Sequence, residues 1–278
     1  LNQAYRDVVK QDDTDLEYLV YPAQKEEKGI ILYFHGGGLI FGTYDNLPKE
    51  YINILSQNFT LISASYRLAP ESKIDTIIGD ALAQYDHIRQ QFPDVPIFTF
   101  GRSAGVFLAM KVAAEREVEG ILDFYGYSRF HIPQFLRPNL KYQALASQVT
   151  PEILNNMIQN HPVTYGDIQS RYLIYLYARG QNEWMKFLGI TQTTNPEFNI
   201  APKKLKAFPP TFIVHGNQDP DVPFTEAQFL EKMIPETEFT VLENDEHDFD
   251  RTVNQENLKL YQQAETFLLN IADNHTQK

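Results

Sequence analysis

The sequence predicts an α/β protein, a mostly parallel sheet flanked by helices with a helical insertion before its last quarter. Three features of the 278 residues carry that reading. Short continuous apolar runs, such as Ile30-Ile31-Leu32-Tyr33-Phe34, have the texture of strands covered on both faces. These runs alternate with segments of helical periodicity, which implies right-handed crossovers between parallel strands. The alternation stops over residues 127–206 and resumes after Ala207-Phe208-Pro209-Pro210. The chain therefore divides into a first core part (1–126), an inserted helical lid (127–206) and a second core part (207–278).

The elements follow in order. Leu16-Glu17-Tyr18-Leu19-Val20-Tyr21 reads as a strand, closed by Pro22 and the charged turn Lys25-Glu26-Glu27-Lys28-Gly29. Residues 30–34 form a buried strand, and residues 61–66 and 96–100 two more. Between the latter two, residues 75–91 set Ile77, Ile78, Ala81, Leu82, Tyr85 and Ile88 at helical spacing. Residues 103–116 open a helix with small side chains, and residues 120–125 return to a strand. The insertion shows no buried strand. Within it, Thr150-Pro151-Glu152-Ile153 has an N-cap followed by Pro at the first helical position. Residues 171–179 read as an aromatic-rich helix, and the single Trp, Trp184, follows. The second core part gives a strand (211–215), a helix (225–233), a strand (238–242) and a C-terminal helix (about 253–271).

Composition narrows the function. Hydrophobic residues at 43% and charged residues at 22% suit a globular domain with a sizeable core. Lys and Arg number 24 against 36 Asp and Glu, a formal net charge of −12. A surface this acidic repels phosphate backbones and anionic lipid, which disfavours a nucleic-acid binder. With no Cys, thiolate catalysis, disulfides and zinc fingers are excluded. No run of 18 apolar residues is present, and the first residues lack a basic and then apolar leader pattern, so the expectation is a cytoplasmic protein with no membrane span.

The strongest chemical signal is Gly101-Arg102-Ser103-Ala104-Gly105, between a strand and a helix. A serine on such a sharp turn needs small residues two before and two after it, and the turn sets its Oγ at the positive end of the next helix. Upstream, His35-Gly36-Gly37-Gly38 follows the strand 30–34. Glycines there let backbone N–H groups turn toward a cavity, as an oxyanion hole requires. A phosphate loop is disfavoured, because no Lys-Ser/Thr pair follows the glycines. A nucleophilic serine needs a base and an acid to orient it. Of the seven histidines, His247 lies in a polar loop after the last strand, where it can reach the sheet's C-terminal edge. His215 ends a strand and reads as a packing residue. Asp219 and Asp221 both lie just past the strand 211–215, and either could serve as the acid or merely form the turn. The order serine, aspartate, histidine is that of α/β-hydrolases.

These motifs resemble the α/β-hydrolases, in particular the bacterial esterases and lipases related to hormone-sensitive lipase. The resemblance rests on His35-Gly36-Gly37-Gly38, Ser65-Tyr66-Arg67-Leu68-Ala69-Pro70-Glu71, Gly79-Asp80-Ala81, Gly101-Arg102-Ser103-Ala104-Gly105, His215-Gly216-Asn217-Gln218-Asp219 and His247-Asp248-Phe249. It implies a sheet of about eight strands and a catalytic triad of Ser103, Asp219 and His247, with Asp219 on the family's acid position. It also implies oxyanion-hole N–H groups from Gly37, Gly38 and Ala104. Arg67 and Glu71 are expected to hold the turn after their strand. The implied substrate is a small-molecule ester, with no cofactor and no metal, and homo-oligomers are left open. The chain departs from the group at Arg102, where an acidic residue is usual, at Val106, where a further Gly is usual, and in carrying its extra mass at 127–206 rather than before the first strands. A peptidase or amidase, an acyltransferase and a non-catalytic receptor on the same fold are the alternatives.

Overall fold

In the computed structural model, which describes residues 3–276, the chain enters its sheet as a hairpin. β1 (Tyr5–Gln11) pairs antiparallel with β2 (Thr14–Tyr21). The two-residue turn places Asp12 and Asp13 at φ of 50° and 61°, the conformation that lets two twisted strands meet. β2 buries alternate residues, Leu16, Tyr18 and Val20, as a strand with one covered face should. The next strands and helices alternate: β3 (Ile30–Phe34), α1 (Lys49–Leu55), β4 (Thr60–Ala64), α2 (Ile74–Gln91), β5 (Ile97–Arg102), α3 (Ala104–Glu115) and β6 (Gly120–Phe124). Every residue of β3, β4, β5 and β6 is buried, the reason their sequences are mostly apolar on both faces rather than alternating.

After β6 the described residues hold only helices until the sheet resumes: α4 (Leu140–Ala146), α5 (Pro151–Met157), α6 (Ile168–Gly180), α7 (Trp184–Leu188), α8 (Asn195–Phe198) and α9 (Pro202–Leu205). Thr150 caps α5 by accepting the Ile153 N–H, with Pro151 in the first turn. β7 (Thr211–Gly216), α10 (Phe224–Met233), β8 (Thr237–Leu242) and α11 (Gln255–Thr276) complete the chain. The eight strands run in the order β1-β2-β4-β3-β5-β6-β7-β8. All pairs are parallel except β1 with β2 and β2 with β4.

The sheet is covered on both faces. Ile30, Leu32 and Phe34 join a core with α2, α3, α10 and the helices of 127–206. Ile31 and Tyr33 join the opposite core with α1 and α11. There Tyr51 and Tyr261 stack at a centroid distance of 3.9 Å. Two buried Arg–carboxylate pairs fix the segments flanking the site. Arg67 binds Asp80 through Nε and Nη2, at 2.9 and 2.7 Å, tying the end of β4 to α2. Arg171 of α6 binds Glu71 at 2.6 and 2.8 Å and also donates to the carbonyls of Ile40 and Ala69. Bidentate geometry of this kind adds direction as well as attraction.

β1, α1 and, within residues 127–206, α4, α7, α8 and α9 have no individual counterpart among the expected elements. β1 is an exposed edge strand with Tyr5, Arg6, Asp7 and Val8 all facing solvent, so it carries no period-two signal. α1 is only 7 residues long and buries only Tyr51 and Leu55. Elsewhere the differences lie at the boundaries. The strand expected over residues 61–66 spans Thr60–Ala64.

Candidate active site

β5 ends and α3 begins within the elbow, and Ser103 between them adopts φ 54°, ψ −121°. A non-glycine residue in that region is strained and is held there by its surroundings. The glycines explain how. A Cβ on Gly101 would lie 2.3 Å from the Gly105 carbonyl carbon, and one on Gly105 would lie 2.0 Å from the Phe34 carbonyl oxygen. The elbow is thus packed backbone against backbone, both on itself and on the end of β3.

The loop after β8 brings His247 to this serine. Ser103 Oγ lies 2.8 Å from His247 Nε2, and His247 Nδ1 lies 2.7 Å from Asp219 Oδ2. An ionised carboxylate only accepts, so Nδ1–H donates to Asp219 and Nε2 is left to accept from the serine hydroxyl. The second oxygen of Asp219 accepts the N–H groups of Asp221 and Val222 at 2.8 and 2.9 Å. His215, at the end of β7, is fully buried, with Nε2 2.9 Å from the Val222 carbonyl and 3.2 Å from Asp219 Oδ2. It therefore braces the acid as well as packing.

Asp221 points elsewhere. Its carboxylate accepts from Arg179 at 2.7 Å, Tyr142 at 2.5 Å and Tyr175 at 3.0 Å, all from α4 and α6. The two aspartates of one turn thus serve different partners. Burial opposes ionisation of Asp219, yet His247 and His215 outweigh it and hold the carboxyl well below its usual range. Burial likewise opposes charge on His247, but the carboxylates of Asp219 and Asp221 raise it to about 9.

Gly37 and Gly38 line the same cleft as Ser103, and a Cβ on the preceding Gly36 would lie 3.3 Å from the Ser103 Cβ. Gly37 has φ 118°, and a Cβ there would come within 1.9 Å of the Phe41 carbonyl oxygen, so only glycine allows the turn. Its carbonyl accepts from Ile40 and Phe41, both at 3.0 Å, which directs it into the loop. Ala104 is the first residue of α3, where a backbone N–H has no acceptor within the helix. His35 supports the loop from below. It is buried and stacked on Tyr66 at 4.4 Å, and its Nδ1 bonds the Gly36 carbonyl at 2.7 Å. Burial pushes it down to about 4, so it is neutral.

The cleft has a volume of about 780 Å³. It is lined by Ser103, His247 and the glycine loop together with Tyr142, Leu145, Ile168, Tyr172 and Tyr175 from the helices between β6 and β7. Tyr175 comes closest, since a Cβ on Gly38 would meet its ring at 2.0 Å. Trp184 locks the same contact by donating its indole N–H to the Gly38 carbonyl at 3.0 Å.

Two buried charge clusters beside the cleft were not anticipated from sequence. One joins Asp221 to Arg179, Tyr142 and Tyr175. The other joins Arg102 to Asp250, at 2.9 and 3.0 Å, with Tyr125 and Tyr261. The only signal for the second was the unusual Arg in the elbow. Its partner lies 148 residues away, and no local pattern reveals it. Of the other histidines, His87 on α2 bonds Tyr18 of β2, and His131, His161 and His275 are exposed and away from the cleft.

Residues 31–251 match the family model described as the alpha/beta hydrolase fold. A Staphylococcus aureus subsp. aureus Mu50 protein of unknown function is 39% identical, with a TM-score of 0.93 over 98% of this chain and 100% of that one. An alpha/beta hydrolase superfamily protein from Enterococcus faecalis is 25% identical, with a TM-score of 0.84 over 95% and 98%. An arylesterase of Saccharolobus solfataricus is 33% identical over 105 residues, 35% of this chain. The chain spans 34% of that arylesterase and 12% of a Penicillium rubens non-reducing polyketide synthase to which it is also similar. With its eight-stranded sheet, its strained serine between strand and helix, and a family match across most of its length, this chain belongs to the α/β-hydrolase fold family.

Proposed function

We propose that the protein is a serine carboxylesterase that cleaves small to medium acyl esters through an acyl-serine intermediate. The observation that carries this reading is the unbroken line Ser103 Oγ–His247–Asp219, at 2.8 and 2.7 Å, beside a glycine loop in a cleft of about 780 Å³. His247 Nε2 takes the serine proton as Oγ attacks the ester carbonyl. Asp219 holds the imidazole in the required tautomer and stabilises its cation. The N–H groups of Gly37, Gly38 and Ala104 receive the negative charge that develops on the carbonyl oxygen. His247 then returns the proton to the leaving alkoxide. Water, deprotonated by the same histidine, releases the acid from the acyl-serine. The chemistry needs no cofactor.

Residues 127–206 act as a lid in this reading, because Tyr142, Tyr165, Tyr172 and Tyr175 line the same cleft as Ser103. Esterase activity in the similar arylesterase supports an ester over an amide substrate. The decisive experiment pairs labelling by a fluorophosphonate with turnover of p-nitrophenyl esters beside aminoacyl-p-nitroanilides. Wild type should label and hydrolyse the esters, and Ser103→Ala should do neither while melting within a few degrees of wild type. Label on the Ser103→Ala protein would overturn the assignment. Faster anilide than ester cleavage would make it a peptidase instead.

A further inference from the structure

We propose that Arg102 and Asp250 form a buried clasp that positions His247 on Ser103. The proposal rests on the catalytic reading above and adds two positioning residues to it. Arg102 directly precedes Ser103 at the end of β5, and Asp250 follows His247 by three residues in a short turn, Phe249–Arg251. The guanidinium grips the carboxylate with two bonds, Nε to Oδ2 at 3.0 Å and Nη2 to Oδ1 at 2.9 Å. Each partner is thus bonded to the other and joined through the backbone to one member of the reacting pair.

The need for such a tether follows from where His247 sits. Its loop leaves β8, an edge strand with no fully buried residue. Residues 243–248 are polar and none is buried. Burial resumes only at Phe249 and Asp250. On its N-terminal side the loop is held by the Gln218 N–H to Asn244 carbonyl bond at 3.1 Å, and the buried anchor of the histidine lies on its C-terminal side. Asp250 is where several elements converge on that anchor. Its carboxylate also accepts Tyr125 Oη–H and Tyr261 Oη–H, both at 2.6 Å, and its carbonyl accepts Tyr51 Oη–H at 2.8 Å. Tyr125, at φ 48°, sets its ring edge-on to the His247 imidazole at 4.9 Å. Arg102 also donates to Tyr125 Oη at 3.0 Å. One buried network thus fixes the backbone before the nucleophile, the backbone after the base and a ring that touches the base.

The pair carries no net charge, so its contribution is geometric. A buried ion pair exchanged for well-packed apolar residues is often neutral for stability, whereas loss of one partner is not. The informative variant is therefore the double substitution Arg102→Met with Asp250→Leu, which empties the clasp without stranding a charge. Three quantities are read: kcat and KM for p-nitrophenyl acetate, the pH dependence of kcat/KM, and the His247 ring titration followed by NMR. His247 faces the carboxylates of Asp219, Asp221 and Asp248 and the ring of Tyr125, and those carboxylates hold its proton affinity up. A titration that falls toward the ordinary histidine value thus reports an imidazole that has left Asp219.

The expected result is a folded double variant with KM little changed and kcat lower by ~10²-fold, the scale of an ångström of misplacement. Its His247 titration, and the acid limb of its rate profile, should move down. Wild-type kcat with an unmoved titration would overturn the clasp. Arg102→Lys and Tyr125→Phe keep the charge balance and cover the case of a double variant that does not fold. Each should lose part of kcat and shift the titration in the same direction, and wild-type values in both would overturn the proposal. If wild-type protein neither hydrolyses esters nor takes a fluorophosphonate, the esterase reading fails. The ring titrations of wild type and variants still decide the clasp.

Discussion

At the scale of single residues, Asp219 and Asp221 show how two carboxylates in one turn acquire different work. Asp219 meets His247 at 2.7 Å, while Asp221 neutralises Arg179 at 2.7 Å. Asp219→Asn should lower kcat by ~10⁴-fold, because an amide that can donate favours the wrong imidazole tautomer. Asp221→Asn should leave a buried guanidinium without its counter-charge, which costs on the order of 3–5 kcal/mol. Its main effect should therefore appear in a thermal melt, with a far smaller loss of kcat. The reverse pattern would exchange their roles. The same carboxylates set the pH dependence. His247 must be neutral to accept the serine proton, and it is raised to about 9. Below that value the reactive fraction falls tenfold per pH unit, so kcat/KM should climb from neutral pH toward 9. Removing the Asp219 charge should move this limb to lower pH. A wild-type limb at or below the ordinary histidine value would show that the carboxylates do not govern it.

At the scale of elements, the insertion carries the specificity argument. α6 lays Tyr175 against the glycine loop and holds its hydroxyl between Asp221 and Arg179. α4 adds Tyr142 to the same carboxylate. Rings fixed by a buried ion pair cannot swing away to admit a long tail, so acetyl to about hexanoyl esters should turn over fastest. Each methylene that fits adds ~0.8 kcal/mol, about fourfold. Tyr175→Ala opens that wall. Relative to acetyl, the hexanoyl ester should gain about tenfold or more in kcat/KM, measured well below the melting point because a buried ring is lost. A wild-type rate that rises steadily to long-chain esters would remove the narrow-pocket idea. The elements themselves were legible where burial is one-sided or complete. β3 could be read because all five of its residues are apolar and buried. β1 could not, because an exposed edge strand has no covered face to write a period into its sequence. The elbow was legible because backbone packing demands glycine at Gly101 and Gly105. The Arg102–Asp250 and Arg179–Asp221 pairs were not, because each joins residues distant in the chain whose types alone suit any solvated surface.

At the scale of the whole molecule, charge and cleft point the same way. The chain carries a formal net charge of −12. Asp167, Asp245, Glu246 and Asp248 line the cleft, against Lys141 and Arg251, while the buried charges of Arg102 and Asp221 are each paired inside the protein. A cleft whose lining carries an excess of one sign of charge raises the local concentration of ligands of the opposite sign. Among the described residues no helix is long and apolar enough to cross a membrane. A p-nitrophenyl ester bearing a cationic acyl group should therefore react several-fold faster, in kcat/KM, than an anionic one of equal length at low ionic strength. The effect acts on encounter and binding, so it should appear in KM more than in kcat. Salt should erase it, because at 1 M the screening length falls to about 3 Å. A faster anionic ester, or a preference that persists undiminished in high salt, would mean that contacts inside the cleft, and not its field, choose the substrate.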